Sequence, residues 1–287
     1  MQARRMLVVL SALIWAGFVG TAQAGTIVWG NNASGGNPLL EAFDFDTGNV
    51  VTQFVAPHPD AVSGNGRGIA VVGTTIYYTL AGSGKVYITD ANTHADLGVA
   101  FDSGLGGIAT VAWDGTALWI DAYDGTDNAY RYTPTGTLLQ TVPGFGNFRD
   151  GFEVTGTNLI ANRGDATGPY DLYDLNGVLV QSNFITPNFS PTGITFDGTF
   201  YYVSDIFNNK IVKYDGSGNF VEERVLGGPQ PPEFGRLLED LSSLGNIPSN
   251  PPPGEEQPPG NPEIPEPATL ILVGFGMIGL GLRRKRL

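Results

Sequence analysis

Carboxylates and arginines recur in the segments that join the predicted strands of this 287-residue chain, where their side chains can reach a ligand. An acid and a base on either side of a sugar bond are the groups that glycoside hydrolysis requires. The sequence offers a pool of five carboxylates for such a pair: Asp121, Asp150, Glu153, Asp205 and Asp240. Because the chain holds 28 acidic residues, this pool does not by itself indicate an enzyme.

The same loops carry residue types that bind a ligand without transforming it. Arginine pairs with carboxylates, and aromatic rings present flat apolar faces on which a sugar ring can stack. The predicted ligand-binding residues are Arg67, Arg149, Asp150, Arg236, Tyr123, Asn162 and Asp205. The arginines have two candidate kinds of partner, an acidic polysaccharide or carboxylates of the chain itself, and internal ion pairs are the simpler expectation.

A metal site is the third alternative for these loops. Asp121, Asp124 and Asp127 follow one another at intervals of three, and the run resembles part of an oxygen-ligand loop for Ca²⁺. Residues 44–49 contain a similar run, but neither ends in the glutamate that completes an EF-hand. Asx turns explain both runs without a metal. No cofactor is therefore predicted, and Ca²⁺ stays the alternative.

Composition excludes several other kinds of chemistry. The chain has no cysteine, so it forms no disulfide, thiolate metal site or cysteine nucleophile, and its two histidines are too far apart for a zinc site. A formal net charge of −13 disfavours nucleic acid as a partner. The 41 glycines and 20 prolines separate short aromatic and β-branched runs, which favours an all-β fold.

The elements that position these residues form a repeat. Apolar strands ending in a Gly or Asp-Gly turn begin at Gly68, Thr110, Gly151 and Gly193, 42, 41 and 42 residues apart. Each is followed by an aromatic-rich strand, a variable loop and two further strands. Four short antiparallel strands in about 40 residues is the period of a β-propeller blade.

The first blade lacks its first strand, because residues 25–55 supply only strands two to four. Residues 238–245, LEDLSSLG, align with the first strands of the other blades and are followed only by linker. The sequence therefore predicts five blades in residues 25–247, with the last strand pairing with the first to close the ring.

The longer loops of such a propeller meet on one face, around the central channel, where a site is expected. The strand order places the inter-blade loops and the loops between second and third strands together there. Glu153, Glu239 and Asp240 lie on or near innermost strands, so their side chains can face the channel. The other polar members of these loops are Asn31, Asn32, Arg163, Asp165, Asn208 and Asn209.

Both ends of the chain contain features typical of targeting signals. Residues 1–24 have the charged start, apolar middle and Ala-Gln-Ala end of a secretory signal peptide. Residues 248–267 form a linker rich in proline and glycine. Residues 268–282 carry no charge and are followed by Arg-Arg-Lys-Arg-Leu, which predicts a short transmembrane helix within 268–287.

Pro265, Glu266 and Pro267, followed by the apolar run and the basic end, resemble the PEP-CTERM sorting signal of Gram-negative bacteria. The resemblance implies an exosortase as partner, a transient anchor in the inner membrane, and delivery to the cell surface or extracellular matrix. The spacing of the blades is similar to that of NHL-like extracellular propellers. The single Trp113-Asp114 dipeptide is not enough for the WD40 family.

The sequence as a whole predicts an exported, non-catalytic binding or scaffold protein. Its expected partners are exopolysaccharide, as in a biofilm matrix, or surface proteins. The alternative is a glycan-active hydrolase or lyase that uses carboxylates at the mouth of the channel.

Overall fold

Five antiparallel sheets of four strands each make up the described part of the chain, which confirms the predicted five-bladed, all-β propeller. The computed structural model describes residues 25–33, 38–62, 64–144, 150–162, 168–228 and 236–243. The expected signal peptide, linker and C-terminal apolar segment lie outside these residues, as do Arg149, Arg163 and Asp165. Within the described ranges, no helix is long and apolar enough to cross a membrane.

The strands follow the order predicted from the repeat, from the axis to the rim of each blade. The innermost strands of blades one to five are β20 Leu238–Ser243, β4 Gly66–Val72, β8 Ile108–Trp113, β12 Phe152–Val154 and β16 Pro191–Phe196. The second strands are β1 Ile27–Asn32, β5 Thr75–Leu80, β9 Leu118–Ala122, β13 Asn158–Asn162 and β17 Tyr201–Asp205.

The outer half of each blade contains two more strands. The third strands are β2 Leu39–Asp44, β6 Lys85–Asp90, β10 Ala129–Tyr132, β14 Tyr170–Asp174 and β18 Lys210–Tyr214. The outermost strands are β3 Asn49–Val55, β7 Asp96–Asp102, β11 Leu138–Val142, β15 Leu179–Ile185 and β19 Phe220–Val225. A short 3₁₀ helix, Pro59–Ala61, lies between blades one and two.

Blade one is closed by the end of the propeller sequence, as predicted. Strand β20 pairs antiparallel with β1, with Val28 opposite Ser243 and Gly30 opposite Leu241. A Cβ at Gly30 would lie 2.8 Å from the Leu238 side chain, so a larger residue here would require that leucine to shift. The first and last strands of the described propeller are therefore hydrogen-bonded neighbours within one sheet.

Aspartates organise the tight turns that separate the strands. Asp114 Oδ1 accepts hydrogen bonds from the Thr116 and Ala117 amides, and Asp197 Oδ1 accepts them from Thr199 and Phe200. The second oxygen of each carboxylate accepts a bond from an aromatic side chain of the following strand, Trp119 or Tyr202. The Asp-Gly-Thr motif thus sets the turn and anchors the next strand at once.

The aromatic residues of the second strands pack mainly in the core. Tyr78, Trp119, Tyr201 and Tyr202 are all buried. They belong to apolar clusters that contain residues of neighbouring blades, such as the cluster that joins Trp119 of blade three to Phe152 of blade four. Packing between blades, rather than contact with a ligand, accounts for most of these rings.

The innermost strands meet at the axis. Glycine allows this contact, since a Cβ at Gly68 would lie 2.7 Å from the Val111 nitrogen, and one at Gly193 would lie 2.6 Å from the Asp240 Cα. The fully buried Asp240 carboxylate links three blades there: its Oδ2 accepts hydrogen bonds from the amides of Ile69 (2.9 Å) and Val111 (3.1 Å). The propeller is therefore packed around its axis at this level.

Candidate functional site

Four polar side chains from four blades converge at the end of the axis where the longer loops lie. Arg67 is near the start of β4, Tyr123 follows β9, Asp150 precedes β12, and Glu239 lies on β20. Arg67 Nη1 is 3.0 Å from Glu239 Oε1, and the Tyr123 hydroxyl donates a hydrogen bond to Asp150 Oδ1. We call these four residues the mouth cluster.

The two pairs of the mouth cluster form one electrostatic unit. The Arg67 charge lowers the pKa of the Tyr123 hydroxyl and the Glu239 charge raises it. The Asp150 charge raises the pKa of Glu239. The Arg67 side chain is 22% exposed and that of Glu239 is 14% exposed. Because both are partly open to solvent, a ligand at the end of the axis can reach them without unfolding the strands.

Neighbouring glycines fix the position of Arg67. A Cβ at Gly66 would lie 1.9 Å from Asn31 Oδ1, and one at Gly68 would meet the Val111 backbone. Asn31 in turn donates hydrogen bonds to the carbonyls of Gly68 and Thr79. The Gly-Arg-Gly sequence therefore presses the backbone against blades one and three, and the arginine side chain projects from a rigid support.

Burial shifts the pKa values in the mouth cluster. Burial raises the pKa of Glu239 to about 7, the Asp150 charge adds to this, and the Arg67 guanidinium opposes it. Burial, followed by the Asp150 charge and hydrogen bond, also raises the pKa of Tyr123, so its hydroxyl stays a donor at neutral pH. The mouth thus holds a carboxyl that gains and loses its proton near pH 7.

Asn162 holds the loop that carries Asp150. Its Oδ1 accepts a hydrogen bond of 3.2 Å from the Asp150 amide, and its Nδ2 donates to the Pro191 carbonyl at 3.4 Å. The side chain is buried. Asn162, one of the predicted ligand-binding residues, therefore positions Asp150 from beneath.

Two other predicted ligand-binding residues lie in separate networks. Asp205 accepts two hydrogen bonds from Asn208, at 3.0 and 2.9 Å, and lies 3.7 Å from Lys210 Nζ. Arg236 is buried, with its Nε 3.2 Å from both Glu41 oxygens. For Arg236 the structure shows the internal ion pair that was the simpler expectation.

The catalytic pool is dispersed through the propeller. Asp150 belongs to the mouth cluster, whereas Asp121 is buried at 2% exposure on β9 and Asp240 is enclosed at the axis. Glu153 is buried on β12, where it accepts hydrogen bonds from the Val154 and Phe196 amides. The bonds to Glu153 and Asp240 join strands, which is a structural role.

The candidate Ca²⁺ loop contains an Asx turn. Asp124 Oδ1 accepts hydrogen bonds from the amide and hydroxyl of Thr126, and its Oδ2 accepts one from Tyr130. In the described residues no three Asp, Glu or His side chains are grouped so that they could hold a metal ion. Asp124 therefore forms the Asx turn that explains this run of aspartates without a metal.

Glu239 was not among the predicted ligand-binding residues, although its position in the repeat indicates that it belongs to the site. In the repeat alignment, Arg67, Asp150 and Glu239 each occupy the position just before the residue that aligns with Gly68. Equivalent positions in successive blades of a propeller lie on a ring around the axis. Repeat position alone therefore brings these three residues together, whereas Tyr123 reaches them from the end of β9.

Glu239 is expected to make the protein less stable as the pH rises from about 5 to 8. Its folded pKa of about 7 lies above the ordinary 4.5, so the folded state retains a proton that the unfolded state has lost. This contribution is complete below pH 4.5 and disappears as the pH rises through about 7. We expect a loss of about 1–3 kcal/mol.

Urea unfolding of the wild type and of Glu239→Gln at several pH values measures this contribution. Asp240 has a raised pKa too, because it is buried, so the wild-type slope is not due to Glu239 alone and the difference between the two proteins is the informative quantity. Glu222→Gln, at an exposed ion pair with Arg224, is the control. Equal pH dependence in wild type and Glu239→Gln would contradict the prediction.

Fold and site together define a five-bladed β-propeller with a polar cluster at one end of its axis. Residues 263–286 match the family model of the PEP-CTERM protein-sorting motif, which confirms the resemblance seen in the sequence. The motif indicates an exported protein with a transient membrane anchor and implies processing by an exosortase. No curated protein matches the chain.

Several solved structures resemble the propeller. A chain of a nidogen–laminin complex is 13% identical, with a TM-score of 0.55, over 78% of this chain and 100% of that one. A protein of unknown function from Bacteroides caccae is 12% identical, with a TM-score of 0.47, over 76% and 98%. Hydrazine synthase of Kuenenia stuttgartiensis is 18% identical, with a TM-score of 0.40, over 56% and 49%. The similarity to the nidogen–laminin structure supports the expected similarity in fold to NHL-like propellers.

Proposed function

We propose that this exported propeller is a non-catalytic binding protein of the cell surface or extracellular matrix, with a glycan as its ligand. The observation that supports this function most strongly is the convergence of Arg67, Tyr123, Asp150 and Glu239 at the end of the axis. Their donors and acceptors match the hydroxyl groups of a sugar, and charged side chains form stronger hydrogen bonds to hydroxyls than neutral ones do.

The proposed route to the cell surface begins with export directed by the signal peptide of residues 1–24. The PEP-CTERM motif then holds the chain in the inner membrane until an exosortase acts. Release to the surface or to a biofilm matrix of a Gram-negative cell would bring the propeller into contact with exopolysaccharide. The acidic body, which disfavours nucleic acid and anionic lipid as partners, suits a sugar ligand of low charge.

Arg67→Gln is expected to weaken glycan binding about tenfold or more, because it removes a charge-assisted donor worth roughly 1.5–3 kcal/mol. Binding of exopolysaccharide isolated from the exporting cells is measured by calorimetry. Arg224→Gln, which removes an arginine from a surface ion pair with Glu222 on β19, is the matched control. The proposal fails if the wild type does not bind this material or if both variants bind as the wild type does.

One observation favours a glycan-active enzyme as the second candidate. A carboxyl with a pKa of about 7, as at Glu239, is suited to act as a general acid, and the Asp150 carboxylate lies in the same cluster. An enzyme would release shorter products from the polysaccharide, and both Glu239→Gln and Asp150→Asn would stop their release. Binding without product distinguishes the first candidate from the second.

A further inference from the structure

A groove of about 710 Å³ lies between blades four and five, lined by strands β15, β18 and β19 and by residues of adjoining loops. One wall is formed by β15 and the loop that follows it, and the other by β18, β19 and the turn between them. None of the mouth-cluster residues lines this groove. Its volume falls within the roughly 300–1,000 Å³ of typical small-molecule sites.

An exposed aromatic ring forms one side of the groove. Phe220 is 60% exposed, and its ring is held edge-on against Tyr214, with the ring centroids 6.4 Å apart. Phe184 and Phe189 also line the groove but are buried to less than 10% exposure. The groove therefore presents a single open aromatic face above an apolar base.

The repeat does not require an aromatic residue at this position. The first residue of the outermost strand faces a tyrosine of the third strand in three blades: Leu138 faces Tyr132, Leu179 faces Tyr173, and Phe220 faces Tyr214. Leucine satisfies the packing in blades three and four. Phenylalanine in blade five thus adds an exposed ring that the fold does not need.

Asn183 and Asn219 line the same groove as this ring. Asn183 has a left-handed backbone, with φ at 54°, and its backbone N–H donates to Asp171 Oδ1 at 2.7 Å. The Asn219 side chain donates to Asp215 Oδ2 at 3.1 Å. Amides offer both donors and acceptors, as sugar hydroxyls do. These contacts fix two amide-bearing residues at the rim before a ligand arrives.

The groove is poorly suited to a charged ligand. Glu223 lines it, and its carboxylate lies 2.7 Å from Lys210 Nζ, so the two charges offset one another. A chain with a net charge of −13 also repels polyanions. A proline-rich peptide is disfavoured as well, because such peptides dock in grooves lined by several exposed rings. Among the described residues that line this groove, only Phe220 has a ring that is mostly exposed.

We propose that this groove is a second binding site, separate from the mouth cluster, and that it binds a neutral glycan. One pyranose ring packs its apolar face on Phe220, and its hydroxyls exchange hydrogen bonds with Asn183 and Asn219. Two glycan sites on one propeller would let a single molecule engage two chains of a polysaccharide, or one chain twice, with the gain in avidity that multivalency gives.

Phe220→Leu tests the groove, since it restores the residue that the repeat uses and retains apolar packing. The full chain, kept in a detergent without sugar groups, is titrated with cellohexaose, laminarihexaose and isomaltohexaose, and binding is followed by saturation-transfer NMR and calorimetry. At least one hexasaccharide is expected to bind at millimolar concentration, and about tenfold more weakly to Phe220→Leu. Leu138→Ala, at the equivalent position of blade three, should bind as the wild type does.

Each of the other outcomes would contradict the proposal of a second glycan site in the groove. No binding of any hexasaccharide, or equal binding to the wild type and Phe220→Leu, would do so. Binding that is lost in Arg67→Gln but not in Phe220→Leu would place the sugar at the mouth, which supports the proposed function and removes the second site. Displacement of the sugar by an alginate hexamer, with binding that depends on Phe220, would assign the groove to a polyanion. The same result with a peptide of residues 248–264 would assign it to a proline-rich segment.

Discussion

Ending the chain at residue 235 is expected to abolish the cooperative folding of the propeller, whereas ending it at residue 247 should leave the unfolding transition intact. The shorter chain lacks β20, which is the innermost strand of blade one. Without it, the Ile69 and Val111 amides lose the Asp240 carboxylate, and the Val71 amide loses Ser242 Oγ, its acceptor at 2.9 Å. Buried amides without acceptors cost about 1–3 kcal/mol each.

The apolar contacts of β20 add to this loss. Leu238 and Leu241 are both buried, in a cluster with Val28 and Phe43 of blade one and Tyr202 of blade five. Emptying each leucine site costs about 2–5 kcal/mol. Together with the three amides this amounts to about 7–19 kcal/mol, which is as large as the roughly 5–15 kcal/mol that stabilises an ordinary domain, and β1 would become an open sheet edge.

Circular dichroism on heating, together with hydrogen exchange of the β1 amides, measures the effect of the truncation. The chain that ends at residue 247 is the matched control, because it removes the linker and sorting motif but retains β20. A chain ending at 235 with an unchanged melting temperature would show that the ring does not depend on its closing strand. Rapid exchange limited to β1 would mean that only blade one depends on β20.

The fold was predictable because the repeat is set by local chemistry. Gly and Asp-Gly turns mark where the first hairpin of a blade reverses, and Gly115 and Gly198 indeed adopt positive φ values of 96° and 95°. A missing strand at one end and an unused strand at the other then leave only one way to complete five blades. Pairing of β1 with β20 follows from counting strands, although the two are separated by about 200 residues of sequence.

The site was less predictable, because residue type does not reveal burial. Arg236 and Arg67 both lie just before or at the start of an innermost strand, yet the Arg236 side chain is fully enclosed and that of Arg67 is 22% exposed. Arg236 pairs with Glu41 of β2 across β1, where the Glu41 side chain is fully buried, whereas the Glu239 side chain that pairs with Arg67 is 14% exposed. Such a partner is visible only when the blade is assembled.

Aspartates also mislead a search for catalytic groups in this chain. Asp90, Asp174 and Asp215 each accept hydrogen bonds from backbone amides two to four residues further along the chain. They occupy the turns between third and outermost strands. A tight turn needs such an acceptor whatever the protein does. The high acidic content of the chain thus reflects in part its number of turns.

Arg236→Met is expected to lower the free energy of unfolding by about 3–5 kcal/mol, since breaking a buried ion pair leaves the other charge uncompensated. Both side chains of the Arg236–Glu41 pair are fully buried, and Arg236 Nη1 also donates to Asn209 Oδ1 of blade five at 2.7 Å. Methionine retains much of the apolar contact that the arginine makes over the Phe43 ring. The loss therefore measures the charge rather than the packing.

Glu41 gives this prediction a pH signature. Burial raises the pKa of Glu41, and Arg236 opposes the rise. Without the guanidinium the carboxyl takes up a proton more readily, so the destabilisation should be smaller at pH 5 than at pH 8. Urea unfolding at both pH values measures it. Arg236→Met combined with Glu41→Gln should recover part of the loss at pH 8, because the neutral amide leaves no unpaired charge in the core.

Arg224→Met is the matched control, because Arg224 also reaches blade one, donating to the Phe45 carbonyl at 3.0 Å, while its ion pair with Glu222 is on the surface, with side chains 35% and 39% exposed. A surface pair of this kind contributes about 0–1 kcal/mol. If Arg236→Met costs no more than Arg224→Met, the ion pair does not hold the closing strand, and hydrogen bonds and apolar contacts of β20 alone join the ends of the ring. If it costs several times more, a single buried charge pair couples blade one to blade five, and closure depends on an arginine that the sequence places in a loop.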